Sequence, residues 1–290
     1  MVSSIKYPYK TNYIDLPGNC KMAYVDEGAG ERTLLFIHGL ANYAMVWKKN
    51  IEYLKQYYRC IAIDLPGNGL SDQNDHKFNM AFFANSVNDF IAAMNLKNLC
   101  IVGHSMGGQI ALTALLKEPE NANALVLCAP AGFEAFTVLD KTLYYSTVHL
   151  FDFLSSEEHS LRSTIENSFY HHHKQGEHVI KELTELMKTY KMSYYRKMIE
   201  SCIKSMLEEP VNEKLHLINH RTLVIFGKHD ALIPNKLLHH TTTERVAKDG
   251  VKKMPNATLE LISDCGHFVQ WEKADDVNRN IIMFLEGGVS

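Results

Sequence analysis

Five short runs rich in Val, Ile and Leu, each closed by a turn, constrain the fold more than any other feature: Thr33–Ile37, Cys60–Ile63, Leu99–Val102, Leu125–Cys128 and Leu223–Phe226. Their apolar residues are continuous rather than alternating, as in strands of a parallel sheet buried on both faces. Amphipathic helical patterns lie between or after them, at Met45–Tyr57, Met80–Met94, Met106–Leu116 and Val277–Leu285. Strand and helix in alternation predict a mostly parallel central sheet with helices on both faces. Asn12–Leu16 and Met22–Val25 read as an antiparallel edge, and Thr258–Ile262 as the last strand.

The alternation stops at 131–217. There apolar residues recur at helical spacing instead, as in Leu139, Leu143, Leu150 and Leu154, then Val179, Leu183, Leu186 and Tyr190, then Tyr195, Met198, Cys202 and Met206. The expected organisation is one core domain from 1–130 and 218–290, with 131–217 as a helical lid inserted between two sheet strands. A chain of 290 residues suits one such domain with an insertion.

Gly103, His104, Ser105, Met106, Gly107 and Gly108 follow directly on one strand and precede a helix. In a strand–turn–helix elbow of this kind a serine is held in strained torsions that lift its Oγ above the sheet. Gly103 and Gly107 fit because strand and helix pass too closely there for side chains. A G-x-S-x-G motif is weak by itself; its placement and four further matches carry the weight.

Over roughly 33–129 and 221–286 the sequence resembles the α/β-hydrolase superfamily, in its lid-bearing serine esterase and carbon–carbon hydrolase branches. Phe36, Ile37, His38, Gly39 and Leu40 look like that family's His-Gly turn. Asp64, Leu65, Pro66, Gly67, Asn68, Gly69, Leu70, Ser71 and Asp72 resemble its glycine-rich loop, read as structural. Phe226, Gly227, Lys228, His229 and Asp230, with Leu232, Ile233 and Pro234, resemble the loop that bears the acid. Asp264, Cys265, Gly266, His267 and Phe268, with Glu272 beyond, resemble the loop that presents the histidine. The resemblance implies an α/β-hydrolase fold with Ser105 as nucleophile, His267 as base and Asp230 as acid. It also implies an oxyanion hole made by the backbone N–H groups of Leu40 and Met106. The chain order Ser, Asp, His is the order this fold uses.

The roles also follow from chemistry. A serine hydroxyl is a poor nucleophile at neutral pH, so an imidazole must take its proton and a carboxylate must fix that imidazole's tautomer. Glu134, after the strand ending at Cys128, is the rival acid, because some relatives place the acid there. Singly, Ser105 could cap a helix and Asp230 could open a turn.

His171, His172 and His173 lack a carboxylate or thiol partner at ligand spacing, as do His239 and His240, so no metal is implied. His38 and His104 read as hydrogen-bonding core residues of their turns. Met187, Tyr190, Met198 and Met206 read as a packing face of the lid, part of which is expected to line an acyl pocket. No phosphate loop or dinucleotide fingerprint is present, so no cofactor is implied.

The net charge of −3, with basic and acidic residues interspersed, argues against nucleic acid as partner. The first residues lack the apolar stretch of a signal peptide, and no run approaches a membrane span. Six cysteines, three of them inside apolar runs, read as reduced core thiols, which together predicts a cytoplasmic setting.

A serine nucleophile disfavours the dehalogenase and epoxide hydrolase relatives, which attack with an aspartate. The expected reaction is hydrolysis of a carboxylic ester or thioester through an acyl-serine, on a small, uncharged or apolar acyl substrate. Carbon–carbon cleavage of a diketone-like acid is the enzymatic alternative. Leu40, Ala41, Asn42 and Tyr43 depart from the Gly-Pro-Gly stretch common in that branch. A non-catalytic ligand receptor on the same fold is the alternative outside enzymology.

Overall fold

The computed structural model describes residues 6–143, 165–170 and 175–287. Eight strands form one sheet: β1 (Asn12–Leu16), β2 (Cys20–Glu27), β3 (Thr33–Ile37), β4 (Arg59–Ile63), β5 (Leu99–His104), β6 (Ala124–Cys128), β7 (Arg221–Gly227) and β8 (Ala257–Ile262). Their spatial order is β1-β2-β4-β3-β5-β6-β7-β8. β1 pairs antiparallel with β2 and β2 antiparallel with β4; every later pairing is parallel. All five residues of β3 and of β6 are buried, which is why those runs read as continuous apolar sequence.

Chain order runs outward in opposite directions from β3 and β5. The crevice beyond their carboxyl ends is therefore the topological switch point where open α/β sheets place ligands.

Helices α1 (Lys48–Leu54), α2 (Met80–Ala93) and α3 (Met106–Lys117) connect the first four parallel strands, β3 to β6. The pattern at Met45–Tyr57 divides: Ala44–Trp47 is a buried 3-10 turn, and the α-helix proper is only Lys48–Leu54. Between β6 and β7 the described residues include α4 (Gln175–Met187) and α5 (Met192–Glu208), with a 3-10 helix at Asn212–Leu217. Tyr190 falls in the turn between α4 and α5 rather than on either. Leu150, Leu154, Tyr144 and the run His171 to His173 lie outside the described residues.

A helix not expected from the sequence, α6 (Thr243–Lys252), crosses from β7 to β8. Only a narrow stripe of it is buried. That stripe, Thr243, Val246, Ala247 and Gly250, packs on the sheet. The Thr242 side chain caps the helix by accepting the Arg245 N–H, and the i,i+4 pairs Arg245–Asp249 and Lys248–Glu244 lie on its exposed face. The chain closes with α7 (Val269–Glu272) and α8 (Ala274–Glu286), the latter ended by Gly287 in the left-handed region.

All six cysteines are buried and free. Among the described residues no helix is long and apolar enough to cross a membrane.

Candidate active site

Four loops meet at the carboxyl ends of β3, β5, β7 and β8. Ser105 follows β5 directly, with φ 52° and ψ −120°, the left-handed strain expected of a nucleophile elbow. Its N–H donates to the Cys128 carbonyl at 3.0 Å, and its own carbonyl accepts from Gly108 and Ala131. Backbone on both sides thus over-determines the turn. A Cβ on Gly107 would lie 2.4 Å from the Ile37 carbonyl oxygen and 2.5 Å from that of His38, and one on Gly103 would lie 2.6 Å from the Gly107 carbonyl. Only glycine permits α3 to start so close to β3 and β5.

The turn after β3 rests on this elbow. A Cβ on Gly39 would touch Nδ1 of His104 and Cβ of Ser105, each at 3.0 Å. The turn that carries Leu40 therefore packs against the Ser105 turn. Met106 opens α3, so its N–H is among the first-turn donors that no intrahelical carbonyl satisfies.

Asp230 and His267 are joined. His267 Nδ1 lies 2.8 Å from Asp230 Oδ2, both residues being almost wholly buried. The other carboxylate oxygen, Oδ1, accepts the N–H groups of Leu232 and Ile233 at 2.8 and 2.9 Å. An ionised carboxylate can only accept, so Nδ1 carries the proton and Nε2 is left as the basic nitrogen.

The His267 loop in turn sits on the turn that carries Ser105. His104 donates from Nε2 to the His267 carbonyl at 3.1 Å, and the two imidazoles lie 4.9 Å apart.

Glu134 is placed elsewhere. Its carboxylate accepts the Asn235 N–H and binds Nδ1 of His239, while Nε2 of His239 faces Asp140 at 3.4 Å. Of the two carboxylates, Asp230 is the one bonded to His267. Burial raises the Glu134 carboxyl above its usual range, against the hydrogen bonds from His239 and Asn235. Sequence separation of about a hundred residues hid this Glu134–His239 link.

The remaining histidines near the site serve the backbone. His38 donates from Nδ1 to the Gly39 carbonyl and accepts the Leu65 N–H at Nε2. Burial lowers its pKa to about 4 and holds His104 well below the usual range, where the neighbouring His267 lowers it further. Both stay neutral. Asp64 organises the glycine-rich loop, accepting the N–H groups of Ala44 and Leu70 and the hydroxyl of Tyr7.

Cys20, Asp72 and His76 bring three ligand-type atoms within 4.8 Å of one another. The Asp72 oxygens are already engaged by Lys21 N–H, Asn74 N–H and His76 Nε2, a staple that ties the loop to β2.

Comparison with known proteins gives a match to the model of the alpha/beta hydrolase fold over residues 32–274. The chain belongs to that family. It is an enzyme of the hydrolase class.

It is 27% identical to the 2-hydroxy-6-oxo-6-phenylhexa-2,4-dienoate hydrolase of Comamonas testosteroni, with 90% of each chain covered. It is 26% identical to a 2-hydroxy-6-oxononadienedioate/2-hydroxy-6-oxononatrienedioate hydrolase of Burkholderia vietnamiensis, with 94% of each covered. Its fold superposes on an esterase from Exiguobacterium antarcticum with a TM-score of 0.81 at 22% identity, covering 96% of this chain and all of the other.

Proposed function

We propose that the protein is a cofactor-free serine hydrolase that cleaves a carboxylic ester or thioester through an acyl-serine intermediate. Ser105 is its nucleophile, His267 its base and Asp230 its acid. The observation that carries this reading is the buried Asp230–His267 pair, seated on the same turn that holds Ser105 at φ 52°.

In the proposed cycle the Ser105 Oγ attacks the acyl carbon while His267 Nε2 takes its proton. The imidazolium so formed is stabilised through Nδ1–H by Asp230. Negative charge gathers on the former carbonyl oxygen, which the Leu40 and Met106 N–H groups bind; losing one such donor typically costs ~3 kcal/mol of barrier. Collapse expels the alkoxide or thiolate, which leaves with the proton from His267. Water then attacks the acyl-serine by the same proton route, returning the enzyme and releasing the acid.

Residues 131–217 act as the lid over this site in the proposal. Buried Tyr190 and Met198, on the side of the insertion packed against the core, favour an uncharged or apolar acyl group.

The relatives named as dienoate hydrolases support a second reading. The same residues would then cleave a carbon–carbon bond of a diketone-like acid, the carbanion fragment taking the proton that the ester reaction gives to an alkoxide. A panel of p-nitrophenyl esters of graded chain length, run beside a 2-hydroxy-6-oxo-dienoate, separates the two. Turnover of the esters, abolished by Ser105→Ala in a protein that still folds, is the expected result. Turnover of the dienoate alone would favour the second reading, and full ester activity in Ser105→Ala would end both.

A further inference from the structure

Residues 168–170 belong to the insertion, yet they are bonded to the loop that carries His267. The His267 N–H itself donates to the Ser168 carbonyl at 2.8 Å. Glu272, five residues past His267, uses both carboxylate oxygens on backbone: Oε1 accepts the Gly266 N–H and Oε2 the Tyr170 N–H, each at 2.9 Å. A single side chain thereby spans the residue before the histidine and a segment a hundred positions away in sequence.

The packing around the clamp is tight. A Cβ on Gly266 would lie 2.6 Å from the Ser168 carbonyl oxygen and 2.8 Å from the Tyr170 nitrogen, so the two backbones run in direct contact. On either side rings close over them. Phe169 stacks on Phe268 with centroids 4.8 Å apart and planes within 6°, and Tyr170 stacks on His229, the residue before Asp230, at 4.2 Å. Ser168, Phe169, His267 and Phe268 are all buried. The insertion therefore touches the acid loop and the base loop at once.

From this arrangement we infer that Glu272 is a positioning residue for His267, clamping residues 168–170 onto the histidine loop so that the insertion helps hold the base in register with Ser105. The inference rests on the serine-hydrolase reading. Glu272 is not itself a catalytic residue, because both of its oxygens are taken by backbone N–H groups. A carboxylate suits such a clamp, since in its ionised form it accepts at two oxygens at once, and charge-assisted bonds to N–H are stronger than neutral ones. A base displaced by even ~1 Å can lose roughly a hundredfold in rate, so a clamp at this point acts on turnover rather than on substrate affinity.

The test is Glu272→Gln, which keeps the shape but offers one accepting oxygen, leaving one backbone N–H facing an amide NH2. In a protein with unchanged circular dichroism, kcat on a p-nitrophenyl ester is expected to fall roughly ten- to hundredfold while KM stays within about threefold. Amide hydrogen exchange at Gly266, His267 and Tyr170 is expected to accelerate with the β5 and β6 amides unchanged. If Glu272→Gln fails to fold, Glu272→Asp takes its place, since it keeps the charge but shortens the reach by one methylene; the same directions are expected.

Wild-type kcat and wild-type exchange in a folded variant would overturn the inference, as would a change confined to KM. A wild-type protein that turns over neither the esters nor the dienoate refutes the serine-hydrolase reading and the positioning role with it. Exchange at the three amides reads the clamp without turnover, so that failure is told apart from failure of the clamp.

Discussion

Replacing Asp230 by asparagine tests its proposed role as the acid, because the two sides of this carboxylate are already committed. Oδ1 accepts the Leu232 and Ile233 N–H groups at 2.8 and 2.9 Å, and Oδ2 accepts the His267 Nδ1–H at 2.8 Å. The asparagine amide must keep its oxygen on the two backbone donors. Turning it round would set an NH2 against both and leave them unsatisfied in a buried site, at ~1–3 kcal/mol each.

Its NH2 therefore faces Nδ1, which can accept that hydrogen only if the imidazole proton moves to Nε2. With Nε2 protonated, His267 has no lone pair for the Ser105 hydroxyl. The loss expected for a triad in the wrong tautomer is ~10⁴-fold in kcat, or about 5 kcal/mol at ~1.4 kcal/mol per tenfold. Asp230 is 1% exposed and KM should change little.

Glu134→Gln, by contrast, disturbs only the link to Asn235 and His239 and should cost less than about tenfold in kcat. Steady-state hydrolysis of a p-nitrophenyl ester by both variants, with thermal melts to establish folding, makes the comparison. An Asp230→Asn variant within tenfold of wild type, or a Glu134→Gln variant that is the crippled one, would refute the tautomer argument.

Gly107→Val should destabilise the fold by at least ~1–3 kcal/mol, since its Cβ would lie 2.4 Å from the Ile37 carbonyl oxygen and neither backbone can yield without moving the elbow; chemical denaturation measures it. Asp64 should titrate near pH 6 in a carboxyl-carbon NMR titration, because burial raises it to about 6 against three hydrogen bonds. The folded form then holds its proton more tightly than the unfolded chain. The stability this group contributes is therefore present below about pH 4 and lost as pH rises through about 6, by roughly 3 kcal/mol in wild type relative to Asp64→Asn. A carboxyl that titrates near pH 4 would contradict the assignment.

Strands and motifs were legible in the sequence for a local reason. A strand buried on both faces writes a continuous apolar run, as in β3 and β6, and an elbow that admits no Cβ writes glycine at 103 and 107. The helix Thr243–Lys252 was not legible because the stripe it buries, Thr243, Val246, Ala247 and Gly250, is built half from a threonine and a glycine, which do not stand out as apolar residues in the sequence. The choice between Asp230 and Glu134 stayed open in the sequence because it turns on which carboxylate reaches His267, a contact across 37 positions for one and a pairing with His239 across 105 for the other. The bonds from residues 168–170 to the histidine loop involve backbone groups, which no residue type announces.

Covalent capture of the nucleophile tests the serine-hydrolase reading most directly. Wild-type protein treated with a fluorophosphonate should gain one adduct, mapped by mass spectrometry to the peptide containing Ser105. Labelling and ester turnover should both vanish in Ser105→Ala. A folded wild-type protein that takes no adduct, or a Ser105→Ala variant that still labels and still turns over ester, would contradict it.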